Sequence, residues 1–340
     1  MTSTDTSAAT HPDETVSKAV ASPYVSINGI PVSNEDLTSV ERMEAISIWD
    51  TSVHRGDGVF EVMRLLPNGT IRALKDHLTR LETSATAVQC PLPSRETLQT
   101  WLLEASVAVK ESMDKSSSVR RYPGGCLRLI ATKGGTVPSL HDNHHHDNHV
   151  PPSVIISWFP LPKWPETFTL CPMLAPWHCA GAPGWETPIK WTSYGPNVLA
   201  TQKAKAQGFT DAILLSSLRL VNSWTPNLEE CHVLDGPNFA ISWIRNHTLY
   251  LPDATALGLL PSITQDLVRM LAQETLGMKI EQGIYTLQDV LDAEEVYVTS
   301  TTRGIIPVTA IGSHTYPTKT NPYLPQLQSL LAEHYGKTIE

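Results

Sequence analysis

At 340 residues the chain exceeds one typical domain and suits two, each long enough to bury its own core. Apolar residues make up 41% and charged residues 17%, the balance of a globular enzyme, and a net charge of -9 argues against a nucleic-acid partner, whose phosphates call for clustered Lys and Arg. No apolar run reaches the length of a membrane span, which argues against a membrane partner too.

Residues 1–22 are rich in Ser, Thr and Ala without an apolar stretch or an arginine, so they read as a disordered tail rather than a signal or transit peptide. The cysteines, Cys90, Cys126, Cys171, Cys179 and Cys231, form no CxxC and no close pair. That usage fits a reducing compartment, taken as the cytoplasm with an organelle left open. Tyr24 to Val32 predicts a β-hairpin turning at Asn28-Gly29. Asp50 to Arg64 begins with turn chemistry and ends as a strand, and from Lys75 to Val88 the spacing of Leu78, Leu81 and Ala85 becomes helical. A second helix is expected from Ser94, as N-cap, to Met113, with strands at 124–131 and 154–159. Between those strands the tract Leu140 to His149 is crowded with His, Asp and Asn. Its spacing is not that of a structural metal site, so it reads as a solvated loop and no metal is assigned.

Prolines 151, 152, 160, 162 and 165 mark a junction, giving domains at 23–160 and 167–340 with 161–166 as linker. The second half predicts strands at 167–175, 211–216, 238–245, 248–251 and 295–299. Helices are expected at 198–207, 262–277, 286–292 and 325–335.

Four stretches hold chemistry that an anionic aromatic ligand would use. Lys190 lies between Ile189 and Trp191, and a lysine desolvated by such neighbours loses its proton near neutral pH and attacks carbonyls. His77 and Arg80 share one helix face, and a guanidinium grips phosphate with paired donors. Leu260-Pro-Ser-Ile-Thr264 opens a helix whose free N–H groups and dipole favour an anion. Thr299-Ser-Thr-Thr302 follows a strand with a row of hydroxyls. Singly, each is in most proteins a surface lysine, a salt bridge, a cap or a polar turn.

Together they resemble the class IV (fold type IV) pyridoxal-phosphate enzymes: branched-chain aminotransferases, D-amino-acid aminotransferases and aminodeoxychorismate lyases. The anchors are Arg55-Gly-Asp-Gly-Val-Phe-Glu61, His77-Leu-Thr-Arg80-Leu, Ile189-Lys190-Trp-Thr-Ser-Tyr-Gly-Pro-Asn197, Leu260-Pro-Ser-Ile-Thr264 and Val298-Thr-Ser-Thr-Thr302 with Ile306-Pro307-Val308, in order over most of the chain. The resemblance implies a two-domain α/β fold of the D-amino-acid aminotransferase type and pyridoxal 5'-phosphate as cofactor. It makes Lys190 the catalytic residue, joined to the cofactor as a Schiff base and moving the substrate Cα proton. Arg80, Ile263, Thr264, Ser300 and Thr301 become the phosphate cup, and Tyr194 the partner of the cofactor's phenolic oxygen. Phe60, Thr302 and, by a looser alignment, Arg128 would face the substrate.

The pyridine-nitrogen partner is a glutamate in the family, and here Val233-Leu-Asp235-Gly236 puts Asp235 in its place. Asn222 to Leu234 reads as an insertion ahead of that motif, with Glu229 or Glu230 as fallback partners, and Gln265 stands where relatives usually carry arginine. The segment Thr132-Lys133-Gly134-Gly135 lacks the arginine–histidine pair of D-amino-acid enzymes. That speaks against a D-amino-acid substrate without establishing a branched-chain one, and handedness stays open. The expected activity is amino transfer from an amino acid, branched-chain type, to a 2-oxo acid in a homodimer. The alternatives are aminodeoxychorismate lyase, releasing pyruvate and 4-aminobenzoate, and an inactive binding homologue.

Overall fold

Alternating burial along the first half builds one antiparallel sheet. The computed structural model describes residues 24–32, 46–115, 124–138, 149–178, 188–216, 227–317 and 323–337, apart from the side chains of 114, 115 and 337. The expected tail at 1–22, Cys179, the loop 181–187 before Lys190, most of the His-rich tract and residues 222–226 of the expected insertion lie outside the described residues. The strands are β1 Val25–Ile27, β2 Ile30–Pro31, β3 Val59–Leu65, β4 Gly125–Ala131, β5 Gly135–Thr136, β6 His149–Val150 and β7 Val154–Phe159. The helices are α1 Thr51–His54, α2 Leu74–Ala87 and α3 Arg95–Lys115.

The sheet runs β2-β1-β7-β4-β3, while β5 and β6 pair with each other as a separate two-stranded sheet. Asn28 and Gly29 take positive φ of 50° and 80°, the geometry that a two-residue hairpin turn between right-twisted strands demands. In β3, Val59, Met63 and Leu65 point to the helices, where they meet Leu78, Leu81 and Ala85 of α2 and Leu98, Leu102 and Ala105 of α3. The opposite face carries Phe60 and Val62, in register with Ile130 and Arg128 on β4, and it stays half-buried or exposed.

The second half forms one mixed sheet ordered β12-β11-β10-β13-β14-β8-β9, with β15 paired to β14. Its strands are β8 Phe168–Leu174, β9 Asp211–Leu215, β10 Ala240–Arg245, β11 Thr248–Pro252, β12 Lys279–Gly283, β13 Glu295–Ser300, β14 Gly304–Ile311 and β15 His314–Thr315. Five helices accompany them among the described residues: α4 Gly195–Ala206, α5 Ala254–Leu257, α6 Ile263–Glu274, α7 Leu287–Leu291 and α8 Tyr323–Lys337. Helices α6 and α8 cover one face through Val268, Leu271, Leu327 and Leu331. The other face buries Trp243, stacked on Tyr250 and edge-on to Tyr285.

Strand patterning alone did not reveal β12 or β14. In β14, Pro307 interrupts the apolar run Ile305 to Val308, yet the ladder to β8 starts only at Val308, so the missing N–H costs that ladder nothing. Strand β12 pairs parallel to β11, a long-range match that its polar Glu281 and Gln282 do not advertise. The described part of the expected insertion is built into the fold: Val233 bridges Leu215, His232 bridges Thr286, and Cys231, Val233 and Leu234 are buried. Glu229 and Glu230 are exposed, so neither takes the place expected of it as a fallback to Asp235.

Candidate active site

The Lys190 segment belongs by sequence to the second half but is bonded to the edge of the first sheet. Lys190 O accepts from Phe60 N–H at 3.0 Å, Thr192 N–H donates to Gly58 O at 2.9 Å, and Trp191 bridges Val59. Lys190 N–H donates to Ser84 Oγ on α2 at 3.1 Å. Gly56, at φ +71°, explains the glycine of the Arg55-Gly-Asp-Gly run, because a Cβ there would lie 2.5 Å from Ser193 Oγ. That hydroxyl donates to Gly56 O at 2.7 Å.

The lysine ammonium lies over two rings, 4.5 Å from the Phe60 centroid and 5.7 Å from that of Tyr194, which meet edge to face. Burial pushes the Lys190 amine down to about 8; the cations Arg80 and Arg128 add to this, while Glu61 and Asp235 oppose it. Asp235 answers in kind. Burial raises its carboxyl to about 7 against the pull of Lys190. Lysine, aspartate, Arg80 and Tyr194 therefore share one electrostatic neighbourhood, drawn from three widely separated stretches of chain. Burial likewise raises the Tyr194 phenol to about 12, keeping it a neutral hydrogen-bonding group at physiological pH.

Arg80 is held by a carboxylate that the sequence reading left without a role. Glu61 sits on the inward face of β3, fully buried, and accepts from Arg80 Nε at 2.7 Å and Nη2 at 2.8 Å. Its second oxygen also lies 2.7 Å from His77 Nδ1. Burial alone would raise the Glu61 carboxyl, yet the hydrogen bonds of Arg80 and His77 and their positive field hold it at about 2. The remaining Arg80 donor, Nη1, reaches into the second half of the chain, to Pro261 O at 2.7 Å.

That contact places Arg80 beside the start of α6. Ser262 caps the helix by accepting from Gln265 N–H, leaving the first N–H groups, of Ile263 and Thr264, without helical partners. Gln265 turns the other way: its Nε2 donates to Ile241 O and Ser242 Oγ, both at 2.9 Å, and pins α6 to β10. At the sheet end, Ser300, Thr301 and Thr302 form the half-buried turn between β13 and β14. Asn197 Nδ2, on the helix that follows Lys190, donates to Pro237 O at 2.7 Å and so ties the turn carrying Asp235 to α4. Arg128 stands on the open face of β4, its guanidinium 5.1 Å from the Phe159 ring centroid, and its charge is felt at Lys190. Among the described residues no group of His, Cys, Asp and Glu could hold a metal ion, and no helix is long and apolar enough to cross a membrane.

A buried lysine bonded to β3 and α2, a buried carboxylate whose charge reaches it and an arginine beside a helix start thus come together. The model of the class IV amino-transferases matches residues 58–311 of this chain. The chain belongs to the class IV aminotransferase family. Within it, a D-alanine aminotransferase of Bacillus licheniformis is 30% identical over 81% of this chain and 87% of its own. An aminodeoxychorismate lyase of Vibrio harveyi is 23% identical over 84% and 91%. A hypothetical aminotransferase of Mycobacterium tuberculosis in its PLP-bound form superposes with a TM-score of 0.71 over 91% of this chain and 97% of that one, at 19% identity, which shows the shared fold.

Two buried charged residues escaped the sequence reading. Glu61 carried a signal: it is a lone acid at an inward position between Val59 and Met63, and a buried charge must find a partner. Arg303 carried none: apart from nearby Ser300, its polar partners Asn238 and Asp211 lie 65 and more residues away.

Glu61→Gln keeps the shape and removes the charge. A carboxyl held at about 2, against an ordinary 4.5, contributes stability that is complete above pH 4.5 and lost as pH falls toward 2. The stability gap between wild type and E61Q, on the order of 3 kcal/mol at neutral pH, is expected to narrow through that acid window in denaturant melts at stepped pH. A gap independent of pH there would show that Glu61 is not the charged anchor of Arg80.

Proposed function

We propose that this chain is a pyridoxal-phosphate-dependent aminotransferase that moves an amino group from an amino acid, branched-chain type, to a 2-oxo acid. The observation that carries the reading is the convergence of Lys190, Asp235 and Arg80 around the Phe60 and Tyr194 rings. The donor set suits the cofactor: a desolvated amine for its aldehyde, a buried carboxylate for its ring nitrogen, and a guanidinium with free helix N–H groups for its phosphate. When bound, pyridoxal phosphate supplies the conjugated ring that takes up the electrons released as an amino acid loses its Cα proton.

The chain's own groups would divide the remaining work. Lys190 Nζ, with its basicity lowered to about 8 by burial, takes a proton from the substrate and returns it. Asp235 keeps a proton on the ring nitrogen, and the Tyr194 hydroxyl bonds the phenolic oxygen. Arg80, Ile263, Thr264, Ser300 and Thr301 hold the phosphate. Phe60 and Thr302 face the substrate. Val62, Ile130 and Ile155 extend an apolar wall on the same sheet face, and Arg128 beside it suits a substrate carboxylate. That wall supports an amino acid with an aliphatic side chain.

Three measurements test the reading. Borohydride reduction of protein given pyridoxal phosphate, followed by peptide mapping, should place the adduct on Lys190 and find none in Lys190→Ala. Adduct formation should accelerate as pH rises through about 8 and then level, where an ordinary lysine would titrate near 10.5. No adduct, or one on another residue, would sink the proposal and leave the inactive-homologue reading. With D- and L-donors and a 2-oxo acid, amino acids with branched aliphatic side chains are expected to be used first, and the screen decides their handedness. Release of 4-aminobenzoate and pyruvate from aminodeoxychorismate without any oxo acid would make the chain a lyase instead.

Asp235→Ala should lower kcat/KM by on the order of 10²–10³-fold while the Lys190 adduct still forms. Unchanged turnover would remove Asp235 from the ring-nitrogen role. We also propose a homodimer: Val53, Leu103, Val107, Val198 and Leu199 are apolar side chains left about half exposed, surface that a second copy would cover. Light scattering should give twice the mass of the 37.4 kDa chain, and a monomer mass at micromolar concentration would refute it.

A further inference from the structure

The β13–β14 turn ends on a side chain with no place in the site as described. Arg303 is an arginine whose side chain is 3% exposed. Its guanidinium is stacked 3.8 Å from the Trp164 ring centroid, and Phe168 and Phe239 close in at 5.6 Å and 5.5 Å. Trp164 belongs to the stretch that links the two sheets. The Arg303 donors are directed at two turns. Nη1 donates to Asn238 O at 3.0 Å and to Ser300 Oγ at 3.2 Å, and Nη2 donates to Asn238 Oδ1 at 2.6 Å. Backbone N–H of Arg303 adds a bond to Ser300 Oγ at 3.3 Å. Asp211 Oδ2 stands 3.8 Å from Nη2 as counter-charge, while its other oxygen accepts from Thr201 Oγ1 on α4 at 2.7 Å.

A serine hydroxyl has one proton and two lone pairs. At Ser300 two N–H groups of Arg303 point at the oxygen, so the hydroxyl proton is left over to be donated. Such a serine is a committed donor, which suits an acceptor such as a phosphate oxygen and not a second donor. Asn238, gripped at both its oxygens, lies three residues past Asp235 on the same turn.

We propose that Arg303 is a positioning residue for the phosphate of the cofactor, acting through Ser300: it turns that hydroxyl outward as a donor and locks the two turns under the linker tryptophan. A lysine could not replace it, since a single ammonium cannot span Asn238 and Ser300 while lying flat against Trp164. The assignment rests on the reading of the site as a pyridoxal-phosphate site and adds to it a residue that touches neither cofactor nor substrate.

The test compares pyridoxal phosphate with pyridoxal, which lacks the phosphate, in titrations of the full chain followed by absorbance and tryptophan fluorescence. Arg303→Ala and Arg303→Lys should each weaken pyridoxal phosphate about tenfold or more, the size of one charge-assisted hydrogen bond, and leave pyridoxal within about twofold. Ser300→Ala should show the same selective loss, and the double variant S300A/R303A should be no worse than S300A alone. If Arg303→Ala is not recovered folded, R303K and S300A carry the comparison. Equal losses for both ligands, rescue by lysine, or additive losses in the double variant would reduce Arg303 to a structural stack and overturn the proposal. The two readings fail differently. A wild-type chain without the Lys190 adduct sinks the site as a whole, whereas a wild-type adduct with normal phosphate preference in the variants sinks only the role of Arg303.

Discussion

A buried carboxylate organises this molecule. Glu61 has no access to water, so its charge persists only because Arg80 and His77 donate to it from the adjoining helix. Satisfying Glu61 fixes the plane of the Arg80 guanidinium, and that plane directs the remaining Nη1 at Pro261 O in the other half of the chain. One desolvated charge in a strand thereby sets the position of a cation at the mouth of helix α6 and couples the two sheets.

The same economy of charge governs Lys190. The amine is surrounded by two carboxylates, two guanidiniums and two rings, and burial is the largest influence on it. In water these charges would be screened to insignificance; in this cleft they balance. The result is an amine that loses its proton near neutrality while facing an aspartate that binds one in the same range. Groups shifted in this way by burial and by specific charged neighbours mark a candidate functional site.

Departures from the family pattern take on meaning in three dimensions. Gln265, at the position where the resemblance implies an arginine, is spent on β10, and Arg80 is the cation beside the helix start. Asp235 is one methylene shorter than glutamate, and its turn is anchored on both sides: Leu214 N–H donates to the Asp235 carbonyl and Asn197 holds Pro237. The short Leu228–Glu230 turn leads straight into buried Cys231 and Val233, so the chain enters the Asp235 motif as part of the core.

Much was legible before any coordinates. The hairpin at Asn28-Gly29, helices α2, α3 and α6, and the strands whose alternation or apolar runs are clean follow from local physics, because turn geometry, capping and periodicity act over a few residues. The motif around Lys190 pointed to the amine, and the arginine and helix start pointed to an anion. Tertiary structure alone decided the rest: that Lys190 is bonded to β3 rather than to its own sheet, that Glu61 and not solvent receives Arg80, that Gln265 faces inward, and that Arg303 joins turns 65 residues apart with a linker tryptophan. The division has one cause. Propensity is written in neighbouring residues, whereas the partner of a desolvated charge is set by which distant segments the packed core brings within three ångströms.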